Sequence, residues 1–155
     1  MTDSSPAPTV SLVPVSDTDR VSHEAGSALS AHNRQFMAPA ARVPFVLAAR
    51  DADCALVGAC VCETEWAAAG RGWLHVDTLW VAERHRGAGL GSRLLAAAEA
   101  EGARRGCTRV HLDTAEFQAR QFYEQRGYRV FGTQRDYPPG SARYFLEKAL
   151  DPADA

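Results

Sequence analysis

Arg86-Gly87-Ala88-Gly89-Leu90-Gly91-Ser92 joins an alternating run to a leucine- and alanine-rich one. Upstream, Trp73 to Ala82 alternates His75, Asp77, Leu79 and Val81 with Val76, Thr78 and Trp80, the period-2 signature of a strand. That periodicity puts His75, Asp77, Leu79 and Val81 on one face. Downstream, Leu90, Leu94, Ala97 and Ala98 share a face at helical spacing, and Arg104-Arg105-Gly106 supplies closing cations and a stop. The glycines therefore open a helix, where unpaired N–H groups and the positive end of the dipole point outward. Without Cβ atoms they let a phosphate reach those amides, and Arg86 adds a fixed charge. The junction is built to hold a phosphorylated ligand.

Elimination narrows the ligand. A nucleoside-triphosphate loop needs a lysine after the last glycine, and none is present. A dinucleotide fingerprint needs Gly-x-Gly-x-x-Gly, whereas the spacing here is Gly87-x-Gly89-x-Gly91. What the stretch does match is Arg-x-x-Gly-x-Gly, as Arg86, Gly89 and Gly91. A second pattern follows the short apolar run Val110 to Thr114: Ala119-x-x-Phe122-Tyr123-x-x-x-Gly127-Tyr128. Arg126-Gly127 closes that helix by itself, and a strand resumes at Tyr128. With both motifs in order, the chain from about Val57 to Leu150 resembles the GNAT superfamily, the acetyl-CoA-dependent N-acetyltransferases.

The rest of the chain organises around these motifs. Val10 to Val15 reads as a first strand, with Pro14 placing it at an edge. Ser16 or Asp17 caps a helix carrying Val21, Ala25, Ala28 and Leu29, and a second short helix runs from His32 to Met37 before Pro39. Phe45 to Ala49 and Ala55 to Glu65 form a hairpin about Asp51-Ala52-Asp53. A final hairpin, Tyr128 to Gln134 and Arg143 to Ala149, turns at Asp136-Tyr137-Pro138-Pro139-Gly140. The predicted order is β-α-α-β-β-β-α-β-α-β-β, an α/β chain with a mixed sheet. The resemblance implies the same order, a GNAT-type fold with helices on both faces of a largely antiparallel sheet. It also implies that the Trp73–Ala82 and Val110–Thr114 strands splay to admit the pantetheine arm.

Composition fits one domain, residues 10–150, between tails at 1–9 and 151–155. A net charge of −2 excludes a global pull toward nucleic acid or acidic membranes. No run approaches the ~18–20 apolar residues of a membrane helix, and the start is not a secretory signal. Cys54, Cys60, Cys62 and Cys107 make no metal-binding pattern, and Cys60 and Cys62 share a strand face. Reduced thiols, a cytoplasmic location and no metal are the expectation. A homodimer is left open.

The resemblance then assigns residues. Arg86, Gly87, Ala88, Gly89, Leu90, Gly91 and Ser92 would grip the pyrophosphate of coenzyme A. Backbone groups near Leu79 and Val81 would bond its arm. Glu116 stands where the family commonly has a cofactor-contacting asparagine, and Gln118 is the substitute. Tyr123 matches the tyrosine that protonates the departing sulfur, and a phenol with pKa near ~10 still carries that proton at neutral pH. His75 matches a position where a base resides, and imidazole relays protons near neutrality. Asp77 would anchor the acceptor ammonium or orient His75, and Asp77 or water is the alternative base. His111 and Asp113 alternate toward the same gap or toward solvent, and His85, His23 and His32 read as surface residues. The acceptor, a primary amine of a small molecule or protein, would meet Phe36, Asp136 and Tyr137, with Trp73, Glu63 and Glu65 nearby. The competing reading is a coenzyme A-binding sensor or partner-binding module with little turnover.

Overall fold

The computed structural model describes residues 10–36, 42–66 and 71–150, so the expected tails at 1–9 and 151–155 lie outside the described residues. The chain divides into two compact units, Met1–Pro39 and Ala40–Ala155.

The first unit holds a 3-10 turn, Val15–Asp17, and helix α1, Thr18–Asn33. Two expectations change here. Val10 to Pro14 forms no strand, and Val15 enters the 3-10 turn. A separate helix from His32 is also not formed. Instead α1 runs through His32 to Asn33, and Arg34–Phe36 leave it in a turn closed by the Phe36 N–H on the Asn33 carbonyl at 2.9 Å. Met37 lies outside the described residues.

The second unit contains β1 (Val43–Arg50), β2 (Leu56–Glu65), β3 (Gly72–Val81), α2 (Leu90–Arg104), β4 (Cys107–Ala115), α3 (Arg120–Glu124), β5 (Arg129–Arg135) and β6 (Ala142–Ala149). The sheet order is β1-β2-β3-β4-β6-β5, antiparallel except for the central β3–β4 pair. The β1–β2 hairpin, the final hairpin and the α2 stop all form as the sequence predicts. Gly106, at φ +97°, takes the left-handed turn after α2.

Alternation sorts each strand into two faces. On one, Cys60, Cys62, Leu74, Val76, Val110, Leu112 and Leu146 pack with Leu94, Leu95 and Ala98 of α2 and with Tyr123 of α3. Gly102 lets α2 approach closely, since a Cβ there would lie 2.9 Å from Leu74 Cδ2. We call this the helix face. The opposite, polar face carries Glu63, His75 and His111, which stand side by side in register.

Two irregularities interrupt the centre of the sheet. Thr78 pairs with Val61 and Val76 with Cys62, leaving Asp77 as an extra residue in β3, a β-bulge. The β3–β4 ladder then ends at Val76–Leu112, although β3 runs on to Val81 and β4 to Ala115. The two strands part at that rung.

Candidate active site

The bulge corrects the expected face of β3. Leu79 pairs with buried Cys60 and Val81 with Gly58, whose Cβ would point at Leu90 and Leu94, so both lie on the helix face. His75 pairs with Glu63 on the polar face. One inserted residue reverses the alternation, so His75 does not share a face with Leu79 and Val81.

Where the strands part, a cleft of about 790 Å³ opens, within the range of small-ligand sites. One wall is β3 from Val76 to Val81, without a partner strand on that side. The other is Asp113 and Thr114 of β4. The floor includes Ala119, Phe122 and Tyr123. The remaining end is the glycine junction: Arg86, Gly87, Gly89, Leu90, Gly91 and Ser92 all line it, while Ala88 does not.

The junction has the local features of an anion cradle. Gly87 and Gly89 both sit at φ +78°, and a Cβ on either would meet no protein atom within 4 Å. No side chain caps α2, so its first-turn amides remain free for a ligand. Arg86 donates from Nε to the Val81 carbonyl at 3.0 Å, tying the loop to the end of β3.

Sequence reasoning missed a second cation at this end. Arg126 lines the cleft, donates to Ser92 Oγ and to the Phe122 carbonyl, and lies 3.6 Å from the Phe122 ring centroid. Its sequence signal, a basic residue before Gly127, reads only as a helix-closing cation. Phe117 and Phe122 are apolar cleft residues likewise invisible as such from spacing.

Tyr123 is buried at 7% exposure and edges against Phe122 and Tyr128 with ring centroids at 5.1 and 5.6 Å. Burial first, then Cys60 and Asp113, pushes its hydroxyl up to about 12. It thus stays protonated across the neutral range. Its hydroxyl makes no hydrogen bond to any described residue and is free for a ligand in the cleft.

Gln118 lines the cleft with its carbonyl already engaged, accepting from the Ala115 N–H at 2.8 Å and Thr114 Oγ1 at 3.2 Å. Asp77 lines it too, exposed at the bulge and accepting from Thr78 Oγ1 at 2.9 Å. The carboxylate beside His75 is Glu63, with Oε1 3.6 Å from Nδ1, and not Asp77. His75 lies one rung before the strands part, and its ring stacks on His111 at 4.7 Å. Burial and the His75 charge push the His111 imidazole below its usual range.

Of the expected acceptor residues in the second unit, neither Asp136 nor Tyr137 lines the cleft. Asp136 and Tyr137 occupy the β5–β6 turn, where Asp136 accepts from the Gly140 N–H at 2.7 Å and Arg143 lies over the Tyr137 ring at 5.6 Å. Arg143 also bonds Asp113 at 2.6 Å, linking that turn to the cleft wall. Phe36 belongs to the first unit and packs at a tilt against His32, with ring centroids at 5.2 Å. Among the described residues no His, Cys, Asp and Glu group forms a metal site, and no helix is long and apolar enough to cross a membrane.

Comparison with known proteins agrees with this geometry. Residues 14–128 match the acetyltransferase (GNAT) family. The chain is similar to the blasticidin-S acetyltransferase of Streptomyces morookaense, 46% identical over 96 residues, or 61% of this chain and 67% of that one. The fold matches a crystal structure of a Bacillus cereus acetyltransferase with TM-score 0.77 and 25% identity, covering 92% of this chain and 98% of that one. It also matches Arabidopsis thaliana Naa50 in complex with the bisubstrate analogue CoA-Ac-MVNAL, with TM-score 0.53 and 26% identity over 60% of this chain and 65% of that one.

Proposed function

The chain belongs to the GNAT acetyltransferase family, and from that premise we propose that it moves an acetyl group from acetyl-CoA directly to a primary amine. The observation that carries this reading is the meeting of the parted β3 and β4 with the glycine-opened α2, with Tyr123 between them.

The residues suit coenzyme A. The α2 first-turn amides, Gly87 and Gly89 would receive the pyrophosphate, flanked by Arg86 and Arg126. The unpaired edge of β3 near Leu79 and Val81 would bond the amides of the arm, as a strand edge bonds any extended amide chain. When bound, the thioester supplies an acyl carbon activated for attack.

The chain's own residues supply the proton chemistry. Tyr123 keeps a proton on its hydroxyl in a water-poor floor, available to the sulfur that leaves. His75 takes the proton of the acceptor ammonium, directly or through water, so that the amine is neutral when it attacks. Asp77 offers a carboxylate at the parting of the strands to hold that ammonium in place. The acceptor is a small cationic molecule or a peptide amine, and the blasticidin-S relative favours the former.

Thiol release from acetyl-CoA in the presence of blasticidin S, simple primary amines and the peptide MVNAL tests the reading. Turnover with one of these is the expected result. Calorimetry showing no binding of coenzyme A would overturn it. Tight binding without thiol release across the panel would favour a coenzyme A sensor instead.

A further inference from the structure

We propose that Glu63 and His111 are the positioning residues of His75, Glu63 at its Nδ1 edge and His111 across its ring face, so that a proton taken up by His75 is drawn by one neighbour and opposed by the other. The proposal deepens the base assignment above and rests on it. Three strands place the groups side by side, since His75 pairs with Glu63 of β2 and with His111 of β4.

Each neighbour acts differently on the imidazole. Glu63 Oε1 stands 3.6 Å from Nδ1, too far for a formed hydrogen bond but close enough to select the tautomer with hydrogen on Nδ1. That leaves the Nε2 lone pair as the proton acceptor. His111 stacks at 4.7 Å with only 12° between ring planes. Ring N–H bonds lie in those planes, so the stack offers no hydrogen bond between the two faces. Its effect is repulsion whenever both rings are charged, which opposes the two rings being cationic at once. His111 is itself pinned by the edge of Trp73 at 5.7 Å, and Arg109 lies over that indole at 5.6 Å.

The other charges on this face are matched among themselves. Glu65 pairs with Arg42 at 2.7 Å, Arg109 with Glu147 at 3.3 Å and Asp113 with Arg143 at 2.6 Å. Arg42 also reaches Glu63 at 3.3 Å, through the same Oε1 that faces His75. No described residue of β1 presents a charge here. The groups that face His75 directly are therefore Glu63, a carboxylate at its Nδ1 edge, and His111, a second imidazole across its ring. In the transfer step an ammonium N–H bond breaks, an Nε2–H bond forms on His75, and the proton then leaves to water. Glu63 makes uptake favourable, and His111 makes release prompt.

The ring C–H resonances of His75, followed by NMR against pH in the ligand-free full chain, test this. Glu63→Gln is expected to move the His75 midpoint down and His111→Phe to move it up, each by about half a unit to one unit. His111→Gln should move it in the same direction as His111→Phe and serves if the phenyl ring disturbs the sheet. The acid limb of kcat/KM, measured with whichever of blasticidin S or MVNAL turns over, should follow the same opposite shifts. Shifts in one direction for both neighbours, or none, would overturn the proposal even if His75→Ala removes the limb. An unmoved limb in His75→Ala would instead overturn the base assignment itself.

Discussion

Up to the Val76–Leu112 rung, β3 and β4 are an ordinary parallel pair, and beyond it the same two strands face each other across a cleft. In the paired half the two strands run in register from Trp73–Arg109 to Val76–Leu112, and side chains sort into a dry face and a polar face. In the parted half the ladder is given up, a bulge at Asp77 resets the alternation, and the strand edge is left free for another chain of amides. The difference teaches that the paired half fixes geometry while the parted half leaves backbone groups for a ligand. Substitutions in the two halves should therefore be felt in different measurements.

The largest effect is expected in the parted half. Tyr123→Phe should lower kcat by about 10²–10⁴-fold with little change in acetyl-CoA affinity, because removal of a positioned acid acts on the transfer and not on binding. Single-turnover kinetics beside calorimetry separate the two. Wild-type turnover would mean the thiolate departs without this proton.

Gly89→Val comes next. The side chain would stand in the open space of the cradle and hold a β-branched residue at φ +78°, a strain of about 1–2 kcal/mol. Coenzyme A affinity should fall at least about tenfold, or 1.4 kcal/mol. Gly89→Ala carries similar backbone strain with less bulk, so binding retained in Ala and lost in Val would identify blockade. A folded Gly89→Val protein with wild-type affinity would break the cradle reading.

These two sites were legible in the sequence for a physical reason. Gly89 and Tyr123 sit in local patterns, a helix start and a helix end, whose chemistry depends on residues within one or two turns. The bulge was not legible, because Asp77 and Thr78 are adjacent polar residues between apolar Val76 and Leu79, and alternation alone does not say which of them is the extra one. Arg126 and Phe122 became cleft residues only through the approach of α3 to α2, which no spacing encodes. Val10–Val15 carried enough apolar residues to suggest a strand, yet a strand is a property of a pair, which the pattern of one segment cannot supply. Glu63 was noticed as an acid, but its relation to His75 depends on cross-strand register.

In the paired half the same size of change should spare chemistry and cost stability. Gly102→Val pushes a branched side chain into Leu74, which is fully buried, and overpacking of this kind costs about 1–3 kcal/mol. Urea unfolding should show that loss while coenzyme A affinity of the folded protein stays near wild type. A loss of affinity without a loss of stability would mean that the two halves are coupled more tightly than the break in pairing implies.

The smallest effect belongs to the end of α2 farthest from the cradle. Glu101 accepts from Arg104 at 2.7 and 2.8 Å and from Arg105 at 2.6 Å, and Arg105 in turn lies over the Phe45 ring of β1 at 4.3 Å. The hydrogen bonds from Arg104 and then Arg105 hold the Glu101 carboxyl down at about 2. A depressed carboxylate favours the folded state above its unfolded value and loses that contribution as pH falls through its folded one. The stability gap between wild type and Glu101→Gln should thus be complete above about pH 5 and close toward pH 2. Arg104 is exposed and the cluster sits at the surface, so the gap should be only about 0.3–0.5 kcal/mol and should shrink in high salt. Turnover at neutral pH should not change, because Glu101 acts on the docking of α2 against β1 and not on the helix start. A gap that widened on acidification would reverse the sign of this linkage, and a change in kcat would show that the far end of α2 sets the geometry of the near one.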